Sequence, residues 1–328
     1  MDNTAYQLGV SCECCGAEQS IPISEKRGWK IFQCTLCGLF FVCPQPTSQQ
    51  LANVYKKAAG YFATAESDLS ETSPDASLQC HKLLVSTGIK PGRLLDVGCS
   101  TGHLIYHLQK WGWQVAGVEI NADAADIAKK HNLDVRVGEL AEGQYQKGLF
   151  DVIFMGDVIE HVKGPRQLLM LSHDLLRENG LLYINTPNAK SGFATASLLL
   201  SKLWGFPWPH SEAPYHLYEF SPHALSQLLS STGYDIVYLR RAGSRSFFYM
   251  IGATGFFDEL KASMKQAGKY KLNMKLLGKI PTLMLMSCIL LPFHIFGGIY
   301  DKLSHSGSKI HLIARKVSRP SPTRNFSC

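Results

Sequence analysis

Leu94-Leu95-Asp96-Val97-Gly98-Cys99-Ser100-Thr101-Gly102-His103-Leu104 is the stretch whose reading decides the architecture. An apolar run carries one acid and reaches a loop of small residues. It then passes into apolar positions at helical spacing, namely Leu104, Ile105, Leu108 and Trp111. The pattern predicts a buried strand that turns sharply into a helix. Gly98 and Gly102 permit positive φ and lack the Cβ that keeps a ligand off the backbone. The helix beyond offers unpaired N–H groups and the positive end of its dipole.

Outward from that loop, Gln114-Val115-Ala116-Gly117-Val118-Glu119-Ile120 reads as the next strand and ends in an acid. A carboxylate at this tip, about 20 residues past the loop, suits bidentate hydrogen bonding to a ribose diol. Dinucleotide sites share the layout, but their glycines recur as G-x-G-x-x-G. Here the series is Gly98, Ser100, Gly102, with His103 where the last glycine would fall.

Further strands are predicted at 93–97, 133–137, 150–155, 180–185 and 234–239 beside that at 114–119, with helices at 102–111, 122–131, 164–177 and 222–232. Such alternation calls for an α/β fold with a parallel sheet covered by helices on both faces. Gly180 and Gly233 are read as helix stops ahead of strands. Lys309-Ile310-His311-Leu312-Ile313-Ala314-Arg315 supplies a seventh strand.

Near the N-terminus, Cys12-x-x-Cys15-Gly16 is followed after 18 residues by Cys34-x-x-Cys37-Gly38. Two such knuckles present four thiolates to one tetrahedral ion, so a structural zinc ribbon is expected over 1–46. Four sulfurs leave no open coordination position, and this metal holds a fold instead of doing chemistry. Cys14 and Cys43 fall outside the spacing, with Cys14 the alternative to Cys12 or Cys15. Residues 47–91 read as a helical linker or lid, with helices around Leu51, Val54 and Tyr55 and over 76–85, and a polar stretch between Ala63 and Pro74. Ten cysteines and no apolar leader at Met1-Asp2-Asn3-Thr4 lead to the expectation of a reduced, cytoplasmic protein.

The net charge of +7 is unevenly spread. From Arg240 onward there are 15 Lys/Arg against 3 Asp/Glu, and before it 18 against 23. A basic C-terminal part fits an anionic partner such as a membrane surface, a phosphorylated substrate or nucleic acid, or simply a solvated face. Within the insertion 241–308, Phe256, Phe257, Leu260, Met264 and Ala267 form a helical apolar stripe. Ile280 to Tyr300 then runs 21 residues without a charged side chain. That length meets a membrane span, but Pro281, Pro292, Gly297 and Gly298 interrupt it. Residues 256–300 are therefore read either as a peripheral membrane contact or as a helical cap over the site, followed by a flexible tail at 316–328.

The loop at Asp96–Gly102 resembles the D-x-G-x-G-x-G motif of class I S-adenosylmethionine (SAM) dependent methyltransferases, with Ser100 in place of the middle glycine. Asp151-Val152-Ile153-Phe154-Met155-Gly156-Asp157-Val158-Ile159-Glu160-His161 resembles the D-x-x-x-x-x-x-V-x-E-H segment of ubiquinone-type O-methyltransferases. Pro214 to Pro222 is similar to the H-x-x-x-F-[ST] segment of small-molecule members. The cysteine pattern resembles methyltransferases carrying an N-terminal zinc ribbon. The resemblance implies a seven-stranded Rossmann-like domain over 92–240, completed by an antiparallel strand at 309–315 beside the sixth.

It further implies that Asp96, Gly98, Cys99, Ser100 and Gly102 cradle the methionine part of SAM. Glu119 holds the ribose, Ile120 packs on adenine, Gly138, Glu139 and Leu140 approach the adenine edge, and Asp157 lies near the amine. His161 is the candidate general base, a role that competes with capping the next helix. His216 belongs to a candidate acceptor pocket wall, and Asp157, Glu160 and His161 are an alternative divalent-cation set. The aromatic run Trp204 to His210 suits substrate stacking or an interfacial anchor. The expected activity is methyl transfer to oxygen or carbon of a small-molecule, sugar or lipid-linked acceptor. An RNA methyltransferase is disfavoured, because the ribbon carries only Lys26, Arg27 and Lys30 as basic residues. A membrane-attached SAM-binding protein without turnover is the non-enzymatic alternative. Neither the acceptor nor the oligomeric state is legible here.

Overall fold

The computed structural model describes residues 6–7, 11–51, 69, 72–205, 207–243, 299 and 306–318. Its contacts divide the chain into two compact units. One comprises Met1–Pro187, Ala213–Arg240 and Ile310–Cys328, and the other Asn188–Glu212 and Arg241–Lys309.

The first unit opens with four strands, β1 (Tyr6–Gln7), β2 (Gln19–Lys26), β3 (Trp29–Cys34) and β4 (Phe40–Val42). They pair in sequence order, antiparallel throughout. The β2–β3 hairpin turns at Arg27 and Gly28, both at positive φ, as a tight two-residue turn demands. Beyond the ribbon, Thr47 and Gln50 exchange backbone and side-chain hydrogen bonds in a capping box that starts a helix. Helix α1 spans Asp75–Ser86.

The body follows as β5 (Arg93–Val97), α2 (His103–Lys110), β6 (Gln114–Glu119), α3 (Ala122–Lys130), β7 (Val135–Val137), β8 (Phe150–Gly156), α4 (Pro165–Leu175) and β9 (Leu176–Pro187). Then come the short β10 (Tyr218–Glu219), α5 (Pro222–Ser231), β11 (Tyr234–Ala242) and β12 (Lys309–Lys316). The main sheet has seven strands in the order β11-β12-β9-β8-β5-β6-β7. Strand β5 sits among them with parallel neighbours on both sides, Asp96 level with Gly117 of β6 and Phe154 of β8. From Leu94 to Val97 it is buried, which is why it reads as a continuous apolar run and not as an alternation. The final strand slots between β9 and β11, beside the sixth body strand as anticipated.

One local reading differs from expectation. Gly180 does not stop a helix: α4 ends at Leu175 and β9 already begins at Leu176, pairing with Phe150 before a register shift. Asn179, at positive φ, and Gly180 form the irregularity instead, where a Cβ on Gly180 would meet the Arg177 carbonyl at 2.9 Å.

In the second unit lies an unanticipated helix over Gly192–Trp204. Ser191 caps its start by accepting from the Ala194 N–H, and left-handed Gly205 ends it. Trp208 is buried and donates its indole N–H to the Ala194 carbonyl, and His210 is buried too. Trp208 and His210 pack inward, whereas Trp204 is exposed.

The apolar stripe at 256–267, the uncharged run 280–300 apart from Ile299, most of the polar stretch 63–74 and the tail from 319 lie outside the described residues. Among the described residues no helix is long and apolar enough to cross a membrane.

Candidate functional site

At the carboxyl ends of β5, β6 and β8, where open α/β sheets bind ligands, the loop Gly98–Gly102 makes a tight crossing. Gly98, Ser100 and Gly102 all hold positive φ (74°, 51° and 82°). A Cβ on Gly98 would lie 2.5 Å from Val158, and one on Gly102 would lie 2.5 Å from Leu133, so side chains are excluded twice over. The Glu119 carboxylate is buried and spans the gap between loop and strand tip. Its Oε2 accepts the Ser100 N–H at 2.8 Å and its Oε1 the Asn121 N–H at 2.8 Å. Each oxygen keeps a further lone pair for a hydroxyl donor.

Asp96 lies beneath the loop, buried. Desolvation, with the Glu119 charge adding to it, holds its carboxyl well above the usual carboxylate range. Gly138 donates to the Glu119 carbonyl, which brings the 138–140 segment to the same strand tip, with Glu139 exposed and Leu140 half-buried. Ile120 stands 59% exposed at that tip. Cys99 is buried beneath the loop against Gly117. Asp157 follows β8 at positive φ, its N–H on the Asn185 carbonyl. The structure thus gathers the Asp96–Gly102 loop, Glu119 and the 138–140 segment at adjoining strand ends.

A second cluster lies beyond β8. Glu160 is 1% exposed; its Oε2 accepts the Thr186 hydroxyl at 2.9 Å, and its Oε1 has no hydrogen-bond partner among the described residues. Burial pushes its carboxyl up to about 7; His216 opposes the shift and Asp157 adds to it. His161 Nδ1 donates to the Tyr215 carbonyl at 2.7 Å, which assigns the proton to that nitrogen and leaves Nε2 as the acceptor in the neutral ring. His216, also buried, faces it edge-on with ring centroids 4.8 Å apart, and places Nδ1 3.2 Å from Glu219 Oε1.

One ligand atom from each of Glu160, His161 and His216 falls within 4.8 Å of the others. The cation set anticipated from sequence was Asp157, Glu160 and His161; tertiary folding brings His216 to the other two. Glu219 and Thr186 were not singled out from sequence. The only signal for Glu219 was its place three residues beyond His216, and Thr186 gave none. The capping reading of 214–222 holds, since Ser221 accepts from the Ala224 N–H with Pro222 opening the helix.

The third cluster is the ribbon. Cys12, Cys15, Cys34 and Cys37 place their sulfurs within 4.8 Å of one another, with Cys12–Cys37 and Cys15–Cys34 each at 3.5 Å. Both knuckles close alike: Gly16 donates to the Cys12 carbonyl and Gly38 to the Cys34 carbonyl, each glycine at φ 74°. Cys14 donates to the Ala224 carbonyl and is not one of the four clustered sulfurs. Burial pushes the Cys15 thiol up to about 11, a cost that a bound dication reverses by taking the thiolate. Four sulfurs at this spacing suit one tetrahedral ion with metal–sulfur bonds of about 2.3 Å.

A family model described as "Methyltransferase domain" matches residues 76–239, half of the chain. The ubiquinone biosynthesis O-methyltransferase of Colwellia psychrerythraea is 28% identical over 143 residues, covering 40% of this chain and 56% of that protein. The enzyme of the same name from Glaesserella parasuis is 30% identical over 114 residues, covering 31% and 48%. The chain spans about half the length of the curated relatives it matches. Among solved structures, that of the [4+2]-cyclase SpnF is similar with a TM-score of 0.52 and 19% identity, over 84% of this chain and 98% of that one. That likeness speaks for the fold alone, since one fold hosts several chemistries.

Proposed function

This chain belongs to the methyltransferase-domain family, and from that premise we propose that it transfers a methyl group from SAM to a small-molecule acceptor, at oxygen or carbon. The observation that carries the reading is the Glu119 carboxylate bridging the donor loop and the strand tip, where a ribose diol completes its hydrogen bonding. Glu119 grips the sugar, Ile120 and the 138–140 segment border the adenine, and the Asp96–Gly102 loop and Asp157 receive the methionine end. Asp96 carries its charge most readily against a cation, and the methionine amine is one. The likeness to O-methyltransferases favours an oxygen acceptor.

When bound, SAM supplies a methyl group already activated on a positively charged sulfur, so the protein's task is alignment and proton removal. His161, with its proton fixed on Nδ1 by the Tyr215 carbonyl, keeps Nε2 to take the acceptor's proton as the new bond to the methyl carbon forms. His216, oriented by Glu219, stands beside it. A second reading rests on the convergence of Glu160, His161 and His216, whose donor set fits a divalent cation holding acceptor oxygens. The buried Glu160 Oε1, without a hydrogen-bond partner among the described residues, favours it.

Zinc is the ion we assign to the four ribbon cysteines. Residues 47–91 are assigned as cover over the donor. His107 lies within 2.9 Å of the Thr72 hydroxyl and His103 within 3.1 Å of the Ser73 carbonyl, both from the helix that opens at the loop. A lipid-linked acceptor, with 256–300 on a membrane surface, is the finer assignment suggested by the basic C-terminal part.

Calorimetry with SAM, followed by transfer of labelled methyl into fractionated cell extract, tests the proposal. Micromolar binding with a labelled small molecule supports it. Absence of SAM binding overturns it, and binding without any labelled product points to the non-enzymatic alternative. Product formation that stops on treatment with a chelator, while the ribbon keeps its metal, selects the cation reading over the base.

A further inference from the structure

The ribbon sheet does not end with the ribbon. Strand β10 joins it as a fifth strand, antiparallel to β4, with Tyr218 opposite Phe41 and Glu219 opposite Phe40. The Val42 N–H extends the seam by donating to the Leu217 carbonyl at 2.9 Å. On the other side, the Leu217 and Tyr218 N–H groups both donate to the Glu160 carbonyl, at 2.8 and 3.1 Å. The segment 215–219 is therefore held between a ribbon strand and the loop that carries Glu160 and His161. It bears His216 and Glu219, and its Tyr215 carbonyl accepts the hydrogen bond from His161 Nδ1.

One side chain ties the three pieces together. The buried Tyr218 hydroxyl accepts from Gln45 Nε2 at 2.6 Å, at the ribbon's exit, and donates to the Lys163 carbonyl at 2.9 Å, two residues past His161. At the hairpin tip, the Arg27 guanidinium lies 5.6 Å over the Tyr215 ring. The ribbon is also tied to α4, where Arg166 donates to the Glu13 and Cys14 carbonyls, and to α5 through Cys14, but its attachments through β4, Gln45 and Arg27 meet on the segment that orients both histidines.

We propose that the cysteine ribbon forms one wall of the acceptor side, and that Tyr218 is a positioning residue which sets the Glu219–His216 hydrogen bond from the ribbon strand. Geometry supplies the mechanism. Strand β4 fixes the backbone of Glu219 through its pairing with Phe40, and the Tyr218 hydroxyl holds that strand in register with the Glu160 loop. Glu219 then keeps the His216 proton on Nδ1, with the His216 ring edge-on to that of His161. The relevance of His216 to methyl transfer rests on the function proposed above, whereas the coupling itself does not.

The test uses the full, metal-loaded chain with nitrogen-15 labelled histidine rings, the His216 signals being assigned with His216→Gln. In the parent protein the His216 ring is expected to show the pattern of a single tautomer with hydrogen on Nδ1. In Tyr218→Phe, which keeps the ring but loses both hydrogen bonds, the two nitrogen shifts are expected to converge, as in an averaged pair of tautomers. Gln45→Met is expected to move them in the same direction. The double variant is expected to add little, because the two residues share one hydrogen bond. SAM affinity is expected to stay within about twofold and metal content to stay at one ion per chain, because neither contact reaches the donor loop.

A His216 pattern unchanged in folded Tyr218→Phe and Gln45→Met overturns the proposal, and so does an equal change in every histidine. Should neither variant fold, deuterium uptake of the parent chain decides. Stripping the ribbon metal is expected to raise uptake at 213–221 while 93–119 stays protected, and unchanged protection at 213–221 refutes the coupling. Failure to bind SAM would sink the proposed function and leave these readouts intact.

Discussion

Glu119 and Asp96 show how two buried carboxylates one strand apart meet different surroundings. Glu119 accepts from two backbone N–H groups; Asp96 has desolvation and a neighbouring negative charge against it. Glu119→Ala is expected to weaken SAM binding by about 1–3 kcal/mol, the worth of charged hydrogen bonds to the ribose. An unchanged calorimetric titration would remove Glu119 from the site. For Asp96 the folded-state value is raised, so the fold binds the proton more tightly than the unfolded chain does. Stability is therefore expected to fall as pH rises above the ordinary aspartate value of 3.8, where the unfolded chain releases that proton first. Asp96→Asn is expected to flatten this slope, as read from urea denaturation across a pH series in the absence of SAM.

At the scale of elements, helix α5 and the ribbon knuckles each depend on a few local contacts. Ser221 caps α5, and Ser221→Ala is expected to cost about 1 kcal/mol of stability, measured by chemical denaturation. Cys34→Ser is expected to lower metal content per chain, because an alcohol is a poor ligand for a soft tetrahedral site. A metal assay equal to the parent's would argue against a four-cysteine site. These knuckles were legible from sequence because C-x-x-C-G places both sulfurs of a turn by local geometry alone. The strand β10 was not legible: two residues carry no periodicity, and they are a strand only because β4 lies alongside. The same holds for the start of β9, where Leu176 pairs with Phe150 although the local pattern continues the helix before it.

For the whole molecule, the sheet order brings the ends of β5, β6 and β8 side by side, so a nucleoside bound there meets residues from separate parts of the chain. Such a ligand stabilises the native state by mass action, by about 2.7 kcal/mol at one hundred times its dissociation constant. Thermal unfolding is expected to shift upward with SAM and to stay put with NAD. A shift with NAD alone would return the loop to the dinucleotide class that its glycine spacing argues against.

The sequence by itself determined the α/β class, the glycine loop after the first body strand, the acid at the second strand tip and the four cysteines. Each of these is written in contiguous residues whose spacing reflects one turn, one strand or one knuckle. Only the tertiary structure decided that His216 joins Glu160 and His161, that Glu219 and Thr186 hold that group in place, and that the ribbon sheet continues into the segment bearing His216. Those contacts link positions 26 to more than 170 residues apart, and apart from the adjacent His216 and Glu219 no local period records them. The physical reason is that a strand tip or a loop gains partners from whatever the packed sheet places beside it, and the identity of that neighbour is a property of the fold.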